Sequence, residues 1–454
     1  MFAIQGSAFT SKTYDEVEYL ENCLFEIDDQ GFIASITHTC DESFSSKVNH
    51  YKSLGKLQVL QAGQYLLPGM IDLHIHAPQW AQSGTALDIP LYDWLNTYTF
   101  PLESRFESRS FAKLVYNDLI EQLIAAGTTT GAFFATVHPE STLDLAHICS
   151  NKGMRALIGK VVMDNPDQNP SYYCDSSTQA ALSSTKHCIE ALEEIGSNSK
   201  AGIFPVITPR FIPSCTNEAL EGLGKLLETY NCYMQTHCSE SDWEHNYVID
   251  RFGKHDACVL DSFGLLGRKS LLAHCGHLSE EDAELLAKRK TSLVHCPISN
   301  AYFENAVTPI LRWSKEKGLN CALATDISGG FSKSIFANIR QAVISSRMLE
   351  DGVNYKISPE KRGVSNSRIT LNQAFYMATA GGGVAIDLPV GRLAKGYIWD
   401  ALIIDTNYID NRLPIFNEDE PALDQFQKIL YMSESCNIRS VYIQGKEVLC
   451  KDKF

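Results

Sequence analysis

The stretch LLPGMIDLHIHAPQ, residues 66–79, begins as a hydrophobic strand and ends on two histidines, His74 and His76. Side chains two apart on a strand point to the same face, so both imidazoles project in one direction at its C-terminal end. Imidazole is the commonest metal-ligating side chain, which makes the pair two corners of a metal site if partners elsewhere complete it. Taken alone, such a pair suits a structural place in a core equally well.

Seven further β-rich runs follow: GTTTGAFFATVH (127–138), ALIGKVVMD (156–164), IFPVITPRF (203–211), CYMQTHCSE (232–240), SLLAHCGHL (270–278), SLVHCPIS (292–299) and CALATDIS (321–328). Between them, SFAKLVYNDLIEQLIAAG (110–127) and TNEALEGLGKLLETYN (216–231) carry apolar residues at helical spacing and end near Gly or Asn, a frequent helix stop. Eight strands alternating with helices predict an α/β fold, a (β/α)8 TIM-like barrel over residues 66–388. No Gly-rich phosphate fingerprint follows the first strand, which disfavours an open dinucleotide-binding sheet. The flanks, 1–65 and 389–454, contain alternating runs such as CLFEIDDQGFIASITH (23–38) and NIRSVYIQGKEVL (437–449). Each is too short to stand alone, and together they predict a small β domain formed from both chain ends. Residues 167–187 read as an irregular connection entering a helix. Residues 79–110 read as a long loop whose Trp80, Tyr92 and Trp94 either cover the site or simply pack.

Composition narrows the function. The 454 residues are 44% hydrophobic and 20% charged, ordinary for a globular protein, and the formal net charge is -15. That balance argues against a nucleic-acid or anionic-membrane surface, both of which need clustered Lys and Arg. The 14 cysteines include no C-x-x-C, which excludes a zinc ribbon or dithiol redox motif. No basic leader precedes an apolar core at the start, and no apolar run reaches the roughly 18 residues of a membrane span. Reduced thiols in a cytoplasmic protein are the simplest expectation.

Polar groups fall at the ends of the runs. His74 and His76 end the first, Arg210 the fourth, His237 the fifth, His274 the sixth and Asp326 the eighth, with His295 on the seventh. Barrel sites form where strands end at their C-termini, so these distant residues are expected to meet in one mouth. Three imidazoles and one carboxylate would leave Zn2+ an open position for water, lowering that water's pKa from about 15.7 towards about 7. Glu240, three residues beyond His237, can carry the proton, although a solvated loop carboxylate, as Glu244 is read, is its plainer alternative. Cys238 alternates to the opposite face and is assigned to packing. The H-x-E…P-C-x-x-C pattern of cytidine-type deaminases is absent.

PGMIDLHIHAPQ, LYDWLNTYTFPLESRF, GTTTGAFFATVH, GKVVMDNP, TPRF, QTHCSE, LAHCGHLS, HCPISNAYF and ATDISGG together resemble the amidohydrolase superfamily, and within it the guanine deaminases. H-x-H marks only the superfamily; H-x-H-x-x-Q with TYTFP and TPRF is narrower. The resemblance implies that His74, His76, His237 and Asp326 bind one Zn2+ per subunit. It implies that Glu240 shuttles protons with Asp326 assisting, that His274 contacts the reacting centre, and that Gln79, Arg210 and Phe211 hold the purine. An amide, a guanidinium and a phenyl ring suit a purine edge and face, and each also suits a structural place at a barrel mouth. The implied reaction converts guanine and water to xanthine and ammonia in a homodimer. Two-metal relatives carry a bridging Lys at the fourth strand's end, where this chain has TPRF and where Lys160 belongs to the third run, so one metal is expected. Leu73, Pro78 and the IPSC after TPRF depart from the pattern and bear on pocket shape. Two other readings stay open: an aminohydrolase acting on another purine, a pterin or a triazine, and a non-catalytic scaffold, which should have lost these ligands.

Overall fold

The structure is a computed structural model that describes residues 1–303, 307–416 and 420–451. Eight strands, Met70–His76, Thr128–Phe134, Arg155–Gly159, Ile203–Pro209, Tyr233–Cys238, Ser270–His274, Ser292–His295 and Cys321–Leu323, run parallel and neighbour one another in chain order. Nearly every residue on them is buried, as expected of strands covered by helices outside and side chains inside. The ring closes where His76 N–H donates to Ile327 C=O (2.8 Å) and Asp326 N–H donates to His74 C=O (3.0 Å). This is the expected (β/α)8 barrel.

The opening stretch is not one strand. Gln64–Pro68 belongs to a separate sheet, and the barrel strand begins at Met70. Gly69 is the joint, because a Cβ there would lie 2.8 Å from the Cβ of Thr129 on the neighbouring strand. Pairing with the second strand then slips between Asp72 and Ile75. The extra residue is a bulge, which resets the alternation locally. Leu73 therefore joins the apolar cluster that fills the barrel with Val206, Leu271 and Val294, while His74 and His76 face the mouth above it.

The second sheet draws Phe2–Ser11, Val17–Ile27, Ile33–Thr37, Leu57–Val59 and Gln64–Pro68 from one end of the chain. Ala401–Asp405, Ile438–Ile443 and Lys446–Cys450 come from the other. Gln64–Pro68 is the seam, parallel to Phe2–Ser11 and antiparallel to Ala401–Asp405. An additional β domain built from both ends is thus present. It is fastened to the barrel by the fully buried ion pair between Arg155, on the third strand, and Asp400.

The predicted helices form as Arg109–Ala125 and Asn217–Tyr230. The second is capped by Thr216, whose side chain accepts the Ala219 N–H, and ends on left-handed Asn231. Residues 79–110 are not an irregular loop but a string of short helical turns, Ala77–Gln82, Leu91–Trp94, Leu95–Thr99, Phe100–Ser104 and Arg105–Glu107. Each is too short to carry a readable periodicity. Among the described residues no helix is long and apolar enough to cross a membrane.

Candidate active site

Strand ends at the barrel mouth bring together His74, His76, His237, His274, Glu240 and Asp326. Ligand atoms of His74, His237 and His274 lie within 4.8 Å of one another, as do those of His74, His76 and Asp326, and those of Glu240, His274 and Asp326. His74 Nε2 stands 3.2 Å and His76 Nε2 3.5 Å from Asp326 Oδ1. The Nε2 atoms of His76 and His237 face each other at 3.0 Å. His237 Nδ1–H donates to the Arg210 carbonyl at 2.5 Å, which leaves Nε2 as the lone-pair nitrogen and fixes the ring.

The protonation states suit a cation. Burial, and then the neighbouring imidazole and guanidinium charges, hold His76 well below the usual histidine range, and burial and the other rings do the same to His237. His74 is also lowered by burial, against the pull of Asp326. Burial pushes Asp326 upward, but the His74 ring beside it prevails and holds the carboxyl at about 2. Neutral imidazoles and an ionised carboxylate thus lie in overlapping groups that share His74, His274 and Asp326. Neither His74 Nε2 nor Asp326 Oδ1 completes a hydrogen bond. Buried polar atoms are rarely left so, and a divalent cation satisfies them together. The donor set therefore fits a metal ion, with imidazole and carboxylate matching zinc.

Backbone strain gathers here. Ser239, His274, Cys275 and Asp326 have φ of 49°, 71°, 60° and 48°, in the left-handed region that costs non-glycine residues on the order of 1–3 kcal/mol each. All four sit where a strand gives way to its loop. His274 Nδ1–H donates to Asn300 Oδ1 at 3.0 Å, turning Nε2 to within 3.6 Å of Glu240 Oε1. Burial, with the Asp326 charge adding to it, pushes the Glu240 carboxyl up to about 7.

Glu244 does not occupy solvent as its sequence context suggested. It is 1% exposed, and its Oε2 accepts the Glu240 N–H at 2.7 Å. Burial and then the Asp256 and Glu240 charges raise its pKa well above the usual carboxylate range. Cys238 does pack away from the site, within the core. His295 ends the seventh strand but joins none of the ligand groups above; burial lowers it to about 3, a neutral core histidine.

A narrow cavity opens beside these groups, walled by Trp94, Leu95, Phe211, Trp243 and Phe303, with Gln79, Arg210, Glu240 and Asp326 also lining it. Flat apolar walls with few polar groups are the usual build of a small-ligand site. Of the three aromatic residues singled out between 79 and 110, Trp94 lines the cavity and Tyr92 packs on Trp243 at 5.3 Å. Trp80 turns outward, donating to Asp118. Arg210 is not alone: Glu103 accepts from its Nη1 at 2.7 Å and its Nη2 at 3.1 Å. Sequence reasoning passed over Glu103, Trp243 and Phe303. The one available signal was an acidic residue directly after an apolar FPL inside a helix-like run.

Three comparisons bear on this site. Residues 65–448 match the profile described as Amidohydrolase family. A probable guanine deaminase of Schizosaccharomyces pombe is 36% identical over 89% of this chain and 75% of its own length. A guanine deaminase of Dictyostelium discoideum is 33% identical over 98% of this chain and 97% of its own. Among solved structures, guanine deaminase from C. acetobutylicum with bound guanine in the active site superposes with a TM-score of 0.86 at 32% identity, covering 98% of this chain and 99% of that one.

Proposed function

The chain belongs to the amidohydrolase family, and on that footing we propose that it deaminates guanine, taking up water and releasing xanthine and ammonia. Relatives that carry this activity along nearly the whole chain support the reading. The observation that carries it is the meeting of His74, His76, His237 and Asp326 beside a buried Glu240 in a flat, aromatic-walled cavity.

In this reading His74, His76, His237 and Asp326 hold a single zinc ion per subunit. Bound there, zinc supplies a Lewis acid that lowers the pKa of water from about 15.7 to about 7. Phe211 and Trp243 flank the base, and Gln79 and Arg210 engage its polar edge. Glu240 accepts the proton of the attacking water and passes it to ring nitrogen N3 as the new C–O bond forms at C2. His274, held by Asn300, steadies the charge that develops there, and Asp326 assists the second proton transfer. The C2–N bond then breaks and the amino group leaves as ammonia. Adenine lacks the O6 acceptor that Arg210, already anchored on Glu103, would engage.

We further infer a homodimer acting in purine catabolism. Ile344 and Met348 on the helix Ile335–Asp351, with Val353 and Tyr355 just beyond it, are apolar and about half-exposed or more, and a second copy would cover them. A cytoplasmic setting accords with 14 cysteines, none of them joined in a disulfide. A division near residues 65 and 388 makes the barrel the catalytic unit and the two chain ends its brace. Ultraviolet absorbance across a panel of guanine, other aminopurines, pterins and triazines tests the activity. Guanine is expected to turn over fastest, and an inert guanine beside a rapidly consumed alternative would move the chain to another aminohydrolase specificity.

A further inference from the structure

Glu103 is fully buried, 0% exposed, on the short helix Phe100–Ser104 above the barrel mouth. Besides its two bonds from Arg210 it accepts a third from Gln79 Nε2 at 3.0 Å, and the buried Tyr173 phenol is a further partner. A carboxylate paired with a guanidinium can only accept hydrogen bonds, so the Gln79 atom facing it must be the NH2. The amide has two ends, and the other follows by exclusion. Gln79 Oε1 is buried with no hydrogen-bond partner, on a residue that lines the cavity. The Gln79 backbone cannot swing away either, because its carbonyl accepts Ser328 Oγ–H at 2.6 Å from the loop after the eighth strand.

We propose that Glu103 is a specificity-determining positioning residue: by holding the Gln79 NH2 and the Arg210 guanidinium together, it presents the cavity with an acceptor beside a donor. The inference rests on the guanine reading above. Guanine offers the complement on adjacent ring positions, N1–H as donor and O6 as acceptor. A 6-aminopurine offers the reverse, an N1 acceptor and an amino donor. Without Glu103 the Gln79 amide is free to rotate by half a turn and serve either pattern, since its two ends are nearly equal in size. Glu103 touches no substrate in this account; it acts through Gln79 and Arg210.

The test compares guanine with 2,6-diaminopurine, which keeps the reacting 2-amino group and reverses the N1/C6 edge. In Glu103→Gln, kcat/KM for guanine is expected to fall by about a hundredfold or more, mostly through KM, while that for 2,6-diaminopurine falls less than about tenfold. The preference for guanine then narrows by at least about tenfold, with bound metal per chain unchanged. A merely structural Glu103 would lower both substrates in proportion, and that result, or an unaltered guanine rate, overturns the proposal. Should Glu103→Gln fail to fold, Gln79→Met decides: it leaves the Glu103–Arg210 pair in place and removes the amide, so the acceptor facing the cavity is lost together with the NH2 that Glu103 holds. Its guanine preference should narrow likewise, and an unchanged preference overturns the proposal. Wild-type protein inert toward guanine defeats the preceding reading and this one together, whereas guanine turnover with an unchanged ratio defeats this one alone.

Discussion

Glu240 and Glu244 are two carboxyls four residues apart, both buried at the same cavity, and their environments give them different tasks. Burial, with the Asp256 and Glu240 charges, raises the Glu244 carboxyl well above the usual range, and one of its oxygens accepts the Glu240 N–H; Glu240 stays able to exchange a proton near neutrality. Glu240→Gln keeps the side chain's shape but cannot take up a proton, so turnover should drop by about two orders of magnitude or more while metal content stays the same. Near-normal turnover in that variant would remove Glu240 from the mechanism. The pH profile adds a second check. Burial raises this pKa to about 7, and an adjacent cation can only pull it lower. Below its pKa the carboxyl carries a proton and cannot accept another, so kcat/KM should fall on the acid side with a limb at or below about pH 7. A limb above pH 8 contradicts the assignment. Glu240 was legible in the sequence because it follows a strand-end histidine at short range. Glu103 and Glu244 were not: their burial depends on which helix and strand fold over them, and a carboxylate in isolation reads as solvated.

At the scale of elements, the barrel was readable because parallel strands buried on both faces leave continuous apolar runs. Their joints were not. The break at Gly69 answers to Thr129, and the bulge after Asp72 answers to the second strand; neither partner is near in sequence. The helical turns between 77 and 107 escaped notice for a different reason, since elements of three to six residues show at most about two turns of periodicity. Gly159, the last residue of the third strand, tests how tightly neighbouring strands are set. A Cβ there would meet the Val206 carbonyl oxygen at 2.6 Å and press on the Thr208 side chain. Backbone cannot yield as a side chain tip can, so Gly159→Ala should destabilise the protein by roughly 1–3 kcal/mol. A denaturant midpoint equal to wild type would show that the strands part more easily than this packing implies.

Over the whole molecule, two chain ends more than 300 residues apart share one sheet, and a buried ion pair, Arg155 with Asp400, fastens that sheet to the barrel. Asp400 also accepts the Gln444 N–H at 2.8 Å, so, standing just ahead of the strand Ala401–Asp405, it joins the barrel to the C-terminal hairpin at one point. Asp400→Ala leaves a buried guanidinium uncompensated and should cost about 3–5 kcal/mol, read as a lowered unfolding midpoint, while kcat/KM per folded molecule at low temperature holds. The alternating flanks made a two-ended β domain legible, but the Arg155–Asp400 contact was not, because nothing local marks one charged residue in a strand as the partner of another 245 positions away. The central claim concerns the barrel mouth, where distant imidazoles and a carboxylate gather on one cation. Its most direct test is elemental analysis of the purified protein coupled to a guanine turnover assay before and after chelation. One zinc per chain is predicted, with xanthine production lost on stripping and regained in proportion to zinc restored. Stripped protein that still converts guanine at the full rate would contradict it.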